Sequence, residues 1–248
     1  MRSLLDLVFP MRCAGCSRGA WPFCVRCRSK LGAVSPPMCV RCGRPWEEDV
    51  EGCRDCPPEE IAWARAPFLY EGPVKSALYR LKFSGWKAVA EALGAAMVEA
   101  HDHEADVVTW VPLGRKRRAS RGYDQARALA RVVGRRLELP VQPLLRRVAE
   151  TGPQARRGAA ERRLAMRGVF VASGAALARP PPRTVLLVDD VLTTGATAAE
   201  SAAALHAAGV ENVALLTAAR AIRWDVPDRC YARRDSRPGL WLPGDVPR

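Results

Sequence analysis

The chain has 248 residues, 48% of them hydrophobic, and a formal net charge of +13 at pH 7. This length and hydrophobic content allow one ordinary domain with a packed core and a second, small one. The apolar runs are far shorter than the roughly 20 residues of a membrane-spanning helix, and no targeting segment is evident, so we expect a cytoplasmic protein with no membrane span.

The excess positive charge is concentrated in residues 112–167, which hold sixteen Lys or Arg and four Asp or Glu. A localised basic field predicts a polyanionic partner or substrate. A genome that prefers Arg to Lys would explain the choice of basic residue but not the shortage of acids. We expect about half of these cations to be ordinary solvated helix faces.

Eight of the nine cysteines form four Cys-x-x-Cys pairs, which indicates a small zinc-ribbon domain over residues 1–60. Each pair makes a tight turn that aims two thiolates at one metal, and tetrahedral Zn²⁺ needs two such turns. We assign two structural zinc ions to sequential pairs, although interleaved pairing and an iron–sulfur cluster also fit four thiolates. Metal binding would supply the folding energy of a segment with few apolar residues. The predicted ligands are Cys13, Cys16, Cys24 and Cys27 at one ion, and Cys39, Cys42, Cys53 and Cys56 at the other.

Strands and helices alternate after Pro57-Pro58. Alternation of this kind predicts a parallel sheet flanked by helices, with ligands at the carboxyl ends of the strands. Residues 146–167 are basic and poor in large apolar side chains, which predicts a mobile loop with a short helix. The predicted elements are strands at 68–70, 107–111, 185–188 and 213–217, a strand at Phe170, and helices starting at Gly72 and spanning 87–100, 125–137 and 198–208.

The stretch VLLVDDVLTTGAT, residues 185–197, predicts a phosphate–sugar site. Asp189 and Asp190 follow where the buried strand is expected to end, and vicinal carboxylates suit ribose hydroxyls or the waters of a Mg²⁺ ion. The loop Thr193, Thr194, Gly195, Ala196 and Thr197 then leads into a helix whose free N–H groups suit a phosphate. A Walker A loop is excluded because GK[ST] is absent.

These thirteen residues strongly resemble the phosphoribosyl-diphosphate (PRPP) signature of the type I phosphoribosyltransferases. The order of a double zinc ribbon, YEGPVKSALYRLKFSG, VPLGRKRRASRGYDQA, a TxPQ segment and the signature is similar to the ComF family of competence-associated phosphoribosyltransferase-like proteins. Three positions depart from that family's usual pattern: RGYDQA replaces RGFNQA, Gly114 replaces a histidine after VPL, and an Asn after the ER segment is missing.

The resemblance implies a double zinc-ribbon domain over 1–60 and a type I phosphoribosyltransferase-like domain over 61–222. The four prolines and lack of pattern after Arg223 predict a tail over 223–248. The resemblance implies that Asp189 and Asp190 are catalytic residues that hold the ribose hydroxyls and Mg²⁺, and that residues 193–197 cradle the 5′-phosphate. It also implies a hood over 146–167 that closes on PRPP. The remaining implied residues are a pyrophosphate loop of Leu113, Gly114, Arg115 and Lys116, with Arg121 and Gln125 in support.

The family resemblance further implies a role in natural transformation, the import of single-stranded DNA, with a competence helicase or DNA-processing protein as a partner. We expect weak binding of single-stranded DNA through the basic run of Arg115, Lys116, Arg117, Arg118 and Arg121. Three functions stay open at this point. They are a phosphoribosyltransferase with an unknown acceptor, a non-catalytic PRPP sensor that binds DNA or a helicase, and a nucleobase salvage enzyme.

Overall fold

A computed structural model describes residues 12–46, 51–53, 55–149, 168–178 and 180–222. Its strands are β1 (Trp63–Arg65), β2 (Phe68–Leu69), β3 (Val107–Trp110), β4 (Leu145–Arg147), β5 (Phe170–Ala172), β6 (Thr184–Leu192) and β7 (Asn212–Arg220). Its α-helices are α1 (Val25–Arg28), α2 (Gly72–Phe83), α3 (Val89–Glu99), α4 (Arg115–Arg121), α5 (Gln125–Leu137) and α6 (Ala196–His206).

A five-stranded parallel sheet forms the centre of the structure. Its strand order is β1-β7-β6-β3. The fifth strand, β2, lies on the same side of β7 as β1 and pairs with its last two residues. A separate antiparallel pair joins β4 to β5. The predicted fold class is confirmed: a parallel sheet flanked by helices is preceded by a cysteine-rich ribbon segment.

Both faces of the sheet are covered, which explains the unbroken apolar run of the signature strand. Side chains alternate between faces along a strand, so Leu186 and Val188 pack with α2, α3 and α5. Val185 and Leu187 pack on the opposite side with α6 and the β4–β5 pair.

The signature strand is longer than its sequence predicts. We expected it to end at 188, before the acidic pair, but β6 continues to Leu192 because β7 lies beside it throughout. Asp189 is the register partner of Thr217, and Leu192 is that of Arg220. The acidic pair therefore lies within the strand, where pairing with β7 continues before and after it.

Two helices also differ from expectation. The sequence predicts no secondary structure for the basic run of residues 115–121, but this run forms α4. Gly122, with a φ of +71°, caps the C-terminus of that helix. The helix predicted over 198–208 runs instead over Ala196–His206.

The first ribbon shares the main core instead of standing apart. Cys13, Phe23 and Cys27 are buried in the same cluster as Val74 and Leu78 of α2. Arg80 donates to the carbonyl oxygens of residues 14 and 15 at 2.6 and 2.9 Å. A ribbon with few apolar residues thus completes its packing on α2.

Three predicted segments fall partly or wholly outside the described residues. Of the predicted hood, 146–149 is described and 150–167 is not, and the tail over 223–248 is also outside. The first eleven residues of the predicted zinc-ribbon domain are outside as well. Among the described helices, none has the length and apolarity needed to cross a bilayer.

Candidate functional site

The acidic pair of β6 lies at the centre of a polar cluster built from three elements. The side chain of Asp190 is almost fully buried. Lys82, near the end of α2, places its Nζ 2.8 Å from Asp190 Oδ2. Gln125, the first residue of α5, donates from Nε2 to the same oxygen at 3.2 Å. One cation and one amide therefore hold this carboxylate in place.

The neighbouring carboxyl group of Asp189 is in a different electrostatic state. Burial and the charge of Asp190 raise the pKa of Asp189 to about 8, against the opposing effect of the backbone N–H of Asp190, which donates to Asp189 Oδ1 at 2.8 Å. Asp189 is therefore largely protonated at pH 7, and a cation that bound there would displace this proton.

A buried acceptor beside the pair also lacks a partner. Within the described part of the chain, nothing donates to Gln125 Oε1, although the atom is buried. An unpaired buried acceptor is costly, and a ligand hydroxyl would satisfy it. This acceptor and the two carboxylates can accept hydrogen bonds from ribose hydroxyls. They are also oxygen groups of the kind that bind a hydrated Mg²⁺ ion, so the residues fit both groups.

The loop after β6 forms a small cavity at the start of α6. Asp189, Thr193, Gly195, Thr197 and Thr217 are among the residues that line this cavity of about 30 Å³. Gly195 is buried, has a φ of +73° and immediately precedes the first residue of α6. A helix N-terminus with adjacent hydroxyls can hold a phosphate group.

Gly195 also forms a contact between this loop and the second ribbon. A Cβ atom at Gly195 would lie 2.9 Å from Pro57 Cβ and 3.3 Å from Pro58 Cδ. Glycine is therefore required here both by the backbone conformation and by the close approach. Pro57 directly follows the cysteine ligand Cys56, so the loop rests on the last turn of the ribbon.

The predicted pyrophosphate loop lies after β3, on the sheet edge next to β6. Leu113 and Gly114 belong to the connection, and Arg115 and Lys116 form the exposed first turn of α4. The N–H of Leu113 is already taken, because it donates to Asp124 Oδ2 at 3.1 Å. The other oxygen, Oδ1, accepts from the backbone N–H of Arg127 and caps α5.

The predicted nucleic-acid residues lie on one exposed helix. No residue of α4 is buried. Arg121, at its end, places its guanidinium carbon 4.7 Å from the ring centroid of Phe83. Burial and the charge of Arg117 lower the pKa of Arg121, and the charge of Asp190 raises it, so Arg121 lies within electrostatic reach of the acidic pair.

The eight paired cysteines form two separate tetrads. One contains the four cysteines of residues 13–27 and the other the four of residues 39–56, as sequential pairing requires, and within each tetrad all sulfur atoms lie within 4.8 Å of one another. Sulfur–sulfur distances include 3.8 Å for Cys16–Cys24 and 3.5 Å for Cys42–Cys53. A tetrahedral Zn²⁺ with bonds of about 2.3 Å would place its sulfur ligands about 3.8 Å apart. The donor set therefore fits one zinc ion per tetrad.

Arg220, at the end of β7, links the second tetrad to the sheet. Its guanidinium group is almost fully buried and donates to the carbonyl oxygen of Cys42 at 2.6 Å and to Cys42 Sγ at 3.4 Å. The hydrogen bond from Cys53 and the charge of Arg220 lower the pKa of Cys42 to about 4. The second tetrad thus lies next to the strand that pairs with β6.

Sequence reasoning did not assign Lys82, Asp124 or Arg220 to any site. Lys82 falls in the helical spacing of the inward-facing Leu78 and Leu81, and a lysine on such a stripe signals an interior partner. Asp124 precedes a strongly periodic helix, which is the signature of a helix N-cap. Arg220 ends an apolar strand, and only its tertiary contact shows why a charge is there.

Comparisons with known proteins agree with both halves of the structure. Residues 4–57 match the double zinc ribbon domain family. Competence protein F of Haemophilus influenzae is 30% identical over 209 residues, which cover 80% of this chain and 90% of that protein. Competence protein ComFC of Bacillus subtilis is 28% identical, covering 70% of this chain and 73% of that protein.

Two further similarities concern a DNA utilization protein and a solved structure. DNA utilization protein YhgH of Escherichia coli O157:H7 is 28% identical, covering 79% of this chain and 88% of that protein. Among solved structures, an allosteric regulatory enzyme of purine biosynthesis aligns with a TM-score of 0.32 and 21% identity, covering 53% of this chain and 26% of that chain.

Proposed function

Because the chain belongs to the competence protein F family, we propose that it binds PRPP together with Mg²⁺ and acts on or beside single-stranded DNA in natural transformation. The single observation that carries the PRPP assignment is the cluster of Asp189, Asp190, Lys82 and Gln125 next to the small loop cavity at the start of α6. Relatives named for competence and for DNA utilization support the assignment to DNA handling.

Each part of PRPP has a chemically suitable counterpart in the site. The 5′-phosphate would take the free N–H groups at the start of α6 and the hydroxyls of Thr193 and Thr197. Ribose hydroxyls would donate to the acidic pair and to Gln125 Oε1. The pyrophosphate would lie towards Arg115 and Lys116, whose positive charge stabilises a departing anion. Bound Mg²⁺ would supply charge neutralisation of the pyrophosphate oxygens.

Calorimetry of PRPP binding tests the site directly. We expect the double variant Asp189→Asn/Asp190→Asn to lose most of the affinity of the wild type, because each substitution removes a charge-assisted contact of about 1.5–3 kcal/mol. Asp102→Asn is the control, since Asp102 pairs with Arg65 and His103 away from the pair. Equal PRPP affinity in wild type and double variant would contradict the proposal that the acidic pair binds PRPP.

The basic run supports a second, electrostatic interaction with DNA phosphates. Exposed cations that neutralise phosphates release counterions, so log affinity falls with log salt by about 0.7 per contact on a single strand. We expect Arg117→Ala/Arg118→Ala to bind single-stranded DNA more weakly and with a shallower salt dependence. Binding that ignores salt, or none at low salt, would contradict this part of the proposal.

Pyrophosphate release distinguishes a transferase from a sensor of PRPP. The protein is incubated with Mg²⁺ and PRPP and with a panel of nucleobases or single-stranded DNA, and pyrophosphate is measured. Release with one acceptor, abolished in Asp189→Asn/Asp190→Asn, would show transfer to that acceptor. Tight PRPP binding without release for any of them would favour the sensor.

A further inference from the structure

Two aromatic side chains on α2 are largely exposed in the described part of the chain. Tyr79 and Phe83 lie one helical turn apart, are 61% and 58% exposed, and have ring centroids 4.9 Å apart. The core-facing side of α2 is filled by Val74, Leu78 and Leu81 instead. The two rings therefore contribute little to the core and leave more than half of their surface exposed.

Cations lie against one of these rings and against a neighbouring ring. Besides Arg121 over Phe83, Lys75 lies 6.0 Å from the ring centroid of Tyr70. A groove of about 410 Å³ runs along this side of α2. Its lining consists of Tyr70, Lys75, Ser76, Tyr79, Arg80 and Ser84. The groove therefore contains both aromatic rings and positive charges.

The charged side chains that α2 and α4 themselves carry are all positive. Residues 72–90 contain four Lys or Arg, residues 115–123 contain five, and neither segment contains an Asp or Glu. Arg117 and Arg121 are four residues apart on α4 and so share a helix face. Contact of Arg121 with Phe83 joins this cationic face to the exposed rings. A polyanion that also carries flat apolar groups matches the surface in charge and shape.

We propose that this α2–α4 face is a platform for single-stranded DNA, on which bases stack against Tyr79 and Phe83 while phosphates lie along Arg117 and Arg121. The inference rests on the proposed DNA role and adds base stacking to a charge-driven interaction. Stacking uses the π-face that every base has, so the platform binds without sequence preference. Lys82, next to Phe83, pairs with Asp190, so bound DNA would border the PRPP site.

An abasic strand separates stacking from charge. Fluorescence anisotropy is measured with a thymidine oligonucleotide and an abasic oligonucleotide of equal length and charge. We expect wild type to prefer the thymidine strand by about ten-fold, and Tyr79→Ala/Phe83→Ala to lose that preference. Affinity of this variant for the abasic strand, and its salt dependence, should match wild type, because no cation is removed.

Two controls keep the result specific. Tyr79→Phe/Phe83→Tyr retains both rings and should retain the preference. Val25→Ala removes an 85% exposed apolar side chain from α1, outside the platform, and should also retain it. Circular dichroism verifies that each variant is folded, as expected for exposed positions where Ala favours helix.

The outcomes separate this inference from the DNA role on which it rests. If wild type binds both strands equally, or if the preference survives in Tyr79→Ala/Phe83→Ala, the platform is wrong while charge-driven DNA binding stands. If wild type binds neither strand at low salt, the platform and the DNA role both fall.

Discussion

At the scale of single residues, the two adjacent carboxyl groups of β6 have different electrostatic surroundings. Asp190 has Lys82 and Gln125 as partners, whereas Asp189 has one backbone N–H and a raised pKa of about 8. The protein keeps Asp189 neutral near pH 7 at a cost to stability, as sites built for a ligand often do. This cost is absent when Asn replaces Asp189, because Asn takes up no proton on folding.

We therefore expect Asp189→Asn to stabilise the protein in the absence of ligand, increasingly so at higher pH. An unfolded Asp ionises near pH 3.8, but Asp189 in the folded protein does so near 8, so wild type loses stability as pH rises across this interval. Asn carries no titrating proton and avoids that loss. Thermal unfolding should show little difference between variant and wild type near pH 4 and the largest difference above pH 8.

Asp102→Asn should shift the unfolding temperature in the opposite direction in the same experiment. Burial raises the pKa of Asp102, but hydrogen bonds from His103 and Arg65 outweigh it and lower the pKa overall. Its contribution to stability is present above the unfolded pKa and lost as pH falls, so Asp102→Asn should destabilise at neutral pH. If both variants shifted the unfolding temperature in the same direction, the electrostatic account of Asp189 would be wrong.

The junction of β3, α4 and α5 depends on one side chain, Asp124, at the scale of elements. Its two oxygens accept from different backbone N–H groups, one in the loop after β3 and one in the first turn of α5. An Asn in this position has only one acceptor oxygen and can satisfy only one of them. Asp124 therefore closes the loop onto the helix.

Urea denaturation of two variants tests this double role. Asp124→Ala removes both hydrogen bonds and should lower the free energy of unfolding by about 1–2 kcal/mol. Asp124→Asn keeps one bond and should lie between Ala and wild type. Ser120→Ala, on exposed α4, should stay within about 0.5 kcal/mol of wild type. An Asn variant as unstable as Ala would show that one of the two bonds carries the whole effect.

The two ribbons contact different parts of the molecule, and this difference matters at the scale of the whole chain. The first packs on α2 and the main core. The second touches the loop between β6 and α6, where Pro57 meets Gly195, and the end of β7, where Arg220 donates to Cys42. Loss of metal at the second tetrad would release two supports of the candidate PRPP site at once.

We expect metal loss at the two tetrads to affect PRPP binding unequally. Cys53→Ser and Cys16→Ser should each remove about one zinc ion per chain by elemental analysis. PRPP affinity by calorimetry should fall about ten-fold further in Cys53→Ser than in Cys16→Ser. Because linkage is reciprocal, PRPP should also retard zinc release to a chelator from the second tetrad. Equal PRPP affinities in the two variants would exclude the coupling.

Local features were determined by the sequence alone. Cys-x-x-Cys turns set their own geometry, so two tetrads follow from spacing. The run of apolar residues, acids, hydroxyls and glycine in 185–197 specifies a strand, a loop and a helix start within thirteen residues. Periodicity likewise located α5 at its observed bounds, because its apolar stripe repeats along a single helix.

The tertiary structure alone decided which residues meet. Lys82 and Gln125 reach Asp190 from helices far away in the chain, and Arg220 reaches Cys42 across 178 positions. Periodicity tells which face of an element is buried but not which neighbour covers it. Strand pairing with β7 likewise carried β6 past the acidic pair, since the partner strand and not local propensity sets where a strand ends.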